Sequence, residues 1–264
     1  MIKRRALLGA AALSLVGASG AILAATPIGR MDLPWWRARH EAALRRVRQG
    51  HVDLVFLGDS ITQDWERHGP PEFMDFQTVW NRFYGDRNAL NLGFIGDTTA
   101  SVLWRIQHGE LEGIDPKVVV LLIGANNLGR VHWPAQDTVA GIDAIINELR
   151  RRLPRTKILL LGILPSERSA WVTQTTDAIN RTLAQRYGHN ENVTYLDVGW
   201  VFFKDGRVDR SKDGRVDRSL FFDPLIKSDG VALHPTAQGQ ERMAEAIEPT
   251  LSRLMRDRNK VAPQ

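Results

Sequence analysis

The chain has 264 residues, of which 43% are hydrophobic and 25% are charged, with no cysteine and a formal net charge of +5. This length is sufficient to bury one substantial hydrophobic core, and the lack of cysteine excludes disulfides and thiolate metal sites. The positive charge does not indicate nucleic-acid binding. Without the three cations Lys3, Arg4 and Arg5 it falls from +5 to +2, since residues 1–25 contain no acid.

Residues 1–25 are predicted to be an export signal. Lys3, Arg4 and Arg5 precede an apolar run that ends in small residues, which is the pattern of a secretory signal. The pair Arg4-Arg5 also resembles a twin-arginine signal. An uncleaved anchor facing the periplasm is the alternative, because the run is close to the ~20 residues that span a bilayer. We favour cleavage, since the run is rich in Ala and Gly, and we expect a periplasmic or secreted protein with no membrane span after signal removal.

The rest of the chain is predicted to be a linker at 26–34, one domain at 35–256 and a polar tail at 257–264. Short apolar segments predict five strands, at 52–57, 89–92, 118–123, 158–161 and 193–196. Apolar residues at three- and four-residue spacing predict helices at 98–108, 136–152, 170–187 and 236–256. This alternation predicts a three-layer α/β/α sandwich around a central five-stranded parallel sheet. Ligands of such sheets bind at the carboxyl ends of the strands.

Polar turns follow the first two predicted strands. Ser60 follows Gly58-Asp59 on a strand-to-helix turn, where its hydroxyl is exposed and the helix amides favour a developing anion. After the second strand, Gly96 allows a close backbone approach, and Asp97 is expected to cap the next helix. Helix capping alone would also explain either turn.

Two further polar residues complete the set. Asn126 follows the third predicted strand and can direct its side-chain amide into a cleft, although asparagine is also common in turns. His234 comes just before the last predicted helix, a position that surface histidines often occupy. Each residue alone is weak evidence for a functional site. The combination of a hydroxyl, two potential anion donors and an imidazole is what indicates one.

These blocks resemble the SGNH (GDSL-type) hydrolase superfamily, in which Ser60, Gly96, Asn126 and His234 have matching order and spacing. The resemblance covers about 35–254 and is strongest to the bacterial branch similar to platelet-activating-factor acetylhydrolase, above all over 92–111 and 117–127. It implies a flavodoxin-like fold and a serine esterase that needs neither metal nor organic cofactor. Its partner would be a small-molecule or polysaccharide ester, and nothing indicates the oligomeric state.

The resemblance also implies roles for these residues. Ser60 would attack an ester carbonyl while His234 takes its proton, and the oxyanion would be held by the N–H groups of Ser60 and Gly96 and the Asn126 side chain. The expected substrate is a short-chain acyl ester, such as an acetyl ester of a carbohydrate or small lipid. Two alternatives are an O-acyltransferase with the same nucleophile and a non-catalytic carbohydrate-binding domain.

The acid that would orient His234 departs from the family pattern. The superfamily places it three residues before the histidine, and Val231 stands there. Asp229 is the first choice, because a loop bulged at Gly230 would bring its carboxylate to the imidazole. Asp223 is the second choice. The third is a backbone carbonyl, with no true triad.

An eight-residue duplication lies between the fifth strand and the last helix. Residues 204–211 and 212–219 both read KDGRVDRS, and each copy contains an Asp-Gly turn signal. The duplication predicts a surface loop or hairpin lengthened by one copy. A basic flap over the site is the alternative.

Overall fold

The computed structural model describes residues 22–69, 75–204, 216–226 and 230–261. Its central sheet has five parallel strands in the order β2-β1-β3-β4-β5. The strands are β1 (Leu54–Gly58), β2 (Ala89–Gly93), β3 (Val118–Leu122), β4 (Lys157–Leu161) and β5 (Val193–Leu196). Every predicted strand is present, and the predicted five-stranded parallel sheet is confirmed.

Burial of the strands follows their position in the sheet. All residues of β1 and β3, which lie inside the sheet, are buried, whereas β5 at one edge is mostly half-buried. A parallel strand covered on both faces reads as a continuous apolar run, as VVVLL does in β3. The register pairs Gly58, the last residue of β1, with Gly93 of β2 and Leu122 of β3. The three strands therefore end at the same level.

Helices form the outer layers of the sandwich. Four of them correspond to predicted segments: α4 (Thr99–Gln107), α6 (Ala135–Arg152), α7 (Ala170–Tyr187) and α9 (Ala237–Met255). Further helices are α1 (Pro34–Val47), α2 (Ser60–Gln63), α3 (Phe76–Tyr84), α5 (Ala125–Gly129) and α8 (Asp223–Ile226). One layer contains α4, α6 and α7, and the other contains α3 and α9.

The first helix illustrates why these segments fold as they do. Pro34 occupies its first turn, where the missing N–H is not needed. Trp36, His40, Ala43 and Val47 are buried, and their three- and four-residue spacing puts them on one face. The helix therefore binds the domain through one stripe of side chains.

The last residues of the predicted signal and the predicted linker after them are bound to the domain. A 3-10 helix at Leu23–Ala25 contacts α4 and α6, and Ala24 is buried there. The Thr99 hydroxyl donates to the Ala24 carbonyl over 2.8 Å, and the Ile28 N–H donates to the Ala100 carbonyl over 3.1 Å. The partners of these residues lie more than seventy positions later in the sequence. The composition of the segment itself therefore could not predict that it docks. Residues 1–21 of the predicted signal lie outside the described residues.

The predicted tail is also docked as far as Val261. Buried Arg87 donates to Glu248 over 2.7 Å and to Asp257 over 2.8 Å, and the Lys260 N–H donates to Glu248 over 2.9 Å. The carboxylates of α9 and the tail therefore share one guanidinium. Across the described ranges, no helix is both long enough and apolar enough to cross a bilayer.

The ends of the duplicated loop are held together. Phe203 and Val216 form an antiparallel bridge, and the Asp217 N–H donates to the Phe202 carbonyl over 2.7 Å. Residues 205–215 lie outside the described residues. The bridge fixes both exits of the loop next to the core residue Phe202.

Deleting one copy, residues 204–211, should leave a stable protein. The sequence Lys-Asp-Gly-Arg would then join Phe203 to Val216, with four residues in place of twelve. Loop-closure entropy varies with the logarithm of length, so the free energy of unfolding should rise by only about 1 kcal/mol. Thermal unfolding measures the change. A control of unchanged length replaces the same eight residues by Gly and Ser. Loss of folding after the deletion would show that the second copy is structural.

Candidate active site

The candidate residues converge on the carboxyl ends of neighbouring strands. Ser60 begins α2 two residues after β1, Gly96 lies three residues after β2, and Asn126 lies in α5 just after β3. Gly93 permits this closeness, because a Cβ there would lie 2.5 Å from the Thr62 backbone of α2. The sheet thus brings together three turns that are distant in sequence.

Ser60 and His234 are in hydrogen-bond contact. Ser60 Oγ lies 2.9 Å from His234 Nε2, although 174 positions separate the two residues in the sequence. The serine is held by its helix, since the carboxylate of Asp59 accepts from the Ile61 N–H over 3.0 Å and caps α2. A serine hydroxyl at this distance from an imidazole nitrogen can donate its proton to the ring, which is the geometry of an activated nucleophile.

Asp223 is the acid that contacts the imidazole. Its Oδ1 lies 2.9 Å from His234 Nδ1, and its Oδ2 accepts from the His234 backbone N–H over 2.6 Å. The bridge between Phe221 and Pro235 sets this register by running the two segments antiparallel. The second choice from the sequence therefore occupies the position beside the ring. Asp229, the first choice, lies outside the described residues.

The charges around the imidazole favour its protonated form. Burial lowers the pKa of His234, but the hydrogen bond and charge of Asp223 outweigh burial and raise it above its ordinary value. Asp64 and Asp59 add to this effect. For Asp223, burial acts to raise the pKa. The hydrogen bonds from His234 outweigh burial, so the pKa of Asp223 is lowered overall. The acid is therefore ionised when the ring accepts a proton.

Two further carboxyl groups close to this pair are buried. Burial raises the pKa of Asp59 to about 7 and that of Asp64 to about 6. The second oxygen of each carboxyl has no hydrogen-bond partner among the described residues. Burial therefore opposes ionisation of both carboxyl groups.

The Gly96 turn and Asn126 form the anion-binding side of the site. Gly96 has a φ of +73°, a conformation that glycine adopts without strain. Asn126 Nδ2 donates to the Asp97 carbonyl over 3.0 Å, which holds the amide against the Gly96 turn. A side-chain amide has two donor hydrogens, so the second remains for a ligand.

Asp97 belongs to a buried ionic network and does not cap α4. Thr98 occupies the cap position, without a side-chain hydrogen bond. Asp97 instead accepts from Arg105 Nε over 2.8 Å, from Trp36 Nε1 over 2.7 Å and from Arg30 Nη1 over 3.0 Å. The capping expectation was wrong because these donors come from three separate segments.

Arg105 extends the network to both strand ends. Its Nη2 donates to the Gly58 and Leu92 carbonyls, each over 3.2 Å, and its Nη1 pairs with Glu110. Burial opposes its charge, but Glu110 and Asp97 outweigh burial and raise the pKa of Arg105. The sequence signalled none of this, because one arginine inside a predicted helix has no distinguishing pattern.

The described residues contain no group of three or more His, Cys, Asp or Glu side chains that could hold a metal ion. The polar groups at the carboxyl ends of the strands are instead a hydroxyl, an imidazole, a carboxylate and amide donors. This combination suits nucleophilic attack on a carbonyl carbon and stabilisation of the resulting oxyanion.

Comparison with known proteins identifies the family. The sequence profile of the GDSL-like Lipase/Acylhydrolase family matches residues 56–242. Platelet-activating factor acetylhydrolase IB subunit alpha2 of Rattus norvegicus is 33% identical over 175 residues, which cover 66% of this chain and 71% of that protein.

Solved structures share the fold. A GDSL-like lipase from Bacteroides thetaiotaomicron has a TM-score of 0.57 at 17% identity, over 83% of this chain and 97% of that one. A carbohydrate esterase family 3 protein from Talaromyces cellulolyticus has a TM-score of 0.54 at 18% identity, over 78% of this chain and 98% of that one. The chain belongs to the GDSL-like lipase/acylhydrolase family, within the SGNH hydrolase superfamily.

Proposed function

We propose that this protein is a serine ester hydrolase that cleaves short-chain acyl esters through an acyl-enzyme on Ser60. The observation that carries the proposal is the hydrogen-bonded chain from Asp223 through His234 to Ser60, with both contacts at 2.9 Å. Such a chain activates a hydroxyl that is otherwise a weak nucleophile. Family membership supports acyl-ester chemistry at this position.

The reaction begins with attack of Ser60 Oγ on the ester carbonyl carbon. The hydroxyl proton passes to His234 Nε2, and the carbonyl oxygen becomes an oxyanion held by the Ser60 and Gly96 N–H groups and Asn126 Nδ2. The bond to the alcohol then breaks, and His234 returns the proton to the departing oxygen. Water repeats the sequence on the acyl-enzyme and releases the acid. Asp223 stays ionised and stabilises the imidazolium.

A short acyl group on a carbohydrate or small lipid is the proposed substrate. The supporting points are the acetylhydrolase name of the rat relative and the carbohydrate-esterase description of a structural neighbour. Acyl transfer to a sugar hydroxyl uses the same Ser60 intermediate. Product analysis of an acetylated sugar, with and without a second sugar as acceptor, separates hydrolysis from transfer.

The proposed location is the periplasm or the cell exterior. It rests on the basic and apolar pattern of residues 1–25. Fractionation of cells that express the full chain tests it, since a signal would yield a shortened protein outside the cytoplasm, and an anchor would yield a full-length protein in the membrane fraction.

Ser60→Ala and His234→Ala should each abolish nearly all esterase activity and leave the fold intact. The two residues act as one unit, so losing either costs about as much as losing both. Initial rates on 4-nitrophenyl acetate measure the loss, and circular dichroism checks the fold. His189→Ala, an exposed histidine after α7, is the matched control and should retain activity. An organophosphonate should label Ser60, and labelling of another serine would contradict the assignment.

Asp223→Asn should lower kcat by up to about 10⁴, because the amide favours the wrong imidazole tautomer. It also removes the charge that most raises the pKa of His234, so the acidic limb of the kcat/KM profile should move to lower pH. Asp229→Asn, at the first choice from the sequence, is the matched control and should be much milder. The reverse order of effects would make Asp229 the acid.

Asn126→Ala should lower kcat about 10²–10³-fold with little change in KM, because a donor to the oxyanion acts mainly in the transition state. Steady-state kinetics on a short acyl ester separates the two constants. The unfolding midpoint must also be measured, since Asn126 holds the Asp97 carbonyl. An effect on KM alone would make Asn126 a substrate-binding residue.

A further inference from the structure

Two guanidinium groups flank the residues that hold the proposed oxyanion donors. Arg130 directly follows α5, which carries Asn126, and Arg168 lies in the loop before α7. Neither forms an ion pair with a carboxylate among the residues that the structure describes. Arg30 also lies beside the Gly96 turn, but Asp97 compensates its charge. Within the described part of the chain, two cations without a carboxylate contact thus lie next to the site.

Arg130 lies over the Gly96 turn. A Cβ built on Gly96 would overlap Arg130 Nη1 and would lie 3.3 Å from Arg30 Nη1. Since a Cα–C bond is about 1.5 Å long, Arg130 Nη1 is within about 4 Å of Gly96 Cα. Arg130 is an exposed residue. Its charge is therefore next to a proposed oxyanion donor and open to a ligand.

Arg168, which comes later in the chain than α5, packs against that helix. Its Nη2 donates to the Ala125 carbonyl over 2.8 Å, and a Cβ on Gly129 would overlap its Nη1. Burial lowers the pKa of Arg168, while the charges of Asp59 and Asp223 act to raise it. The group is thus half-buried, charged and within electrostatic range of the acid beside His234. A partly desolvated cation of this kind gains from a directly bound anion.

An aromatic pair follows the two arginines closely in the sequence. Trp171, 40% exposed, follows Arg168 by three residues at the start of α7, and its ring lies 5.7 Å from that of His132. His132 in turn follows Arg130 by two residues. A flat aromatic surface beside a cation suits a ring that carries a negative group, because the ring contributes apolar contact and the anion supplies the charge.

We propose that this site selects esters whose alcohol part carries a carboxylate or phosphate, which Arg130 and Arg168 bind. The inference rests on the proposed ester hydrolysis and adds its substrate class, an acylated anionic alcohol such as an acidic sugar. Arginine is suited to this role, since its planar guanidinium pairs with either anion through two parallel hydrogen bonds.

The test compares acetyl esters of related sugars with and without an anionic group. Acetylated methyl glucoside is the neutral substrate, acetylated methyl glucuronide carries a carboxylate, and acetylated glucose phosphate carries a phosphate. Acetate release gives kcat/KM for each. The wild type should favour at least one anionic ester over the neutral one by roughly tenfold or more, since a charge-assisted hydrogen bond is worth at least that factor. The two anionic esters distinguish carboxylate from phosphate.

Variants assign the preference to the two arginines. Arg130→Gln and Arg168→Gln should each reduce the anionic-to-neutral ratio of kcat/KM by about tenfold, and Arg130→Lys should retain part of it. Arg181→Gln, an exposed arginine on α7, is the control and should leave the ratio unchanged. A ratio near one in the wild type overturns the inference. The inference is also overturned if both glutamine variants keep the wild-type ratio. An equal loss of kcat/KM on all three esters would overturn it too, since it would indicate that the arginines stabilise the oxyanion.

A binding measurement separates this inference from the proposed function. Ser60→Ala protein should bind methyl glucuronide or glucose phosphate more tightly than methyl glucoside in calorimetry, and Arg130→Gln should remove the difference. Hydrolysis of neutral and anionic esters at equal rates would contradict this inference and leave the proposed esterase function standing. Failure to hydrolyse any ester would sink the esterase proposal, and the binding comparison alone would then decide whether the arginines hold an anion.

Discussion

The buried guanidinium of Arg105 is the interaction on which the geometry of the site depends. It binds the carbonyl of Gly58 at the end of β1, the carbonyl of Leu92 in β2, and the carboxylate of Asp97 beside Gly96. One side chain therefore fixes the serine turn relative to the glycine turn. Removing one partner of a buried ion pair leaves an uncompensated charge and costs about 3–5 kcal/mol. Arg105 also pairs with Glu110, and the side chains of Arg105, Asp97 and Glu110 are fully buried. The site is therefore positioned by a buried network in which the arginine is paired with carboxylates.

The fold could be predicted, and so could the positions of Ser60, Gly96 and Asn126 at the carboxyl ends of the strands, because the signals are local. Each strand is a short apolar run, and Ser60, Gly96 and Asn126 directly follow strands whose ends the parallel register aligns. The acid could not be predicted in the same way. Its contact with His234 depends on the antiparallel pairing of residues 221 and 235, and proximity in sequence favoured Asp229 over a residue eleven positions before the histidine. The docking of Ala24, at the end of the predicted signal, and of Arg30, in the predicted linker, could not be predicted for the same reason, since their partners lie more than sixty residues away.

Charged groups of both signs lie near His234. The pKa of Asp223 beside the ring is lowered, and burial raises the pKa of Asp59 to about 7 and that of Asp64 to about 6. Guanidinium groups lie on the side of α5 and the Gly96 turn. In the proposed mechanism, the carboxyl groups would stabilise a positive charge that forms on the imidazole, and the N–H donors of Ser60, Gly96 and Asn126 would stabilise a negative charge that forms on the substrate oxygen. Both charges would form in the same step, so the arrangement would stabilise the transition state as a dipole.

The bridge between Phe203 and Val216 holds the two ends of the loop together, so changes in loop length need not displace the site. Both ends of the loop are fixed at a single point beside the core, so residues added between them can leave the preceding and following segments in place. The tandem copy of KDGRVDRS is such an addition. A position that has already accepted eight residues is a natural entry point for an inserted domain, a peptide tag or a fluorescent label, and also a place where related chains can diverge in length without altering their chemistry.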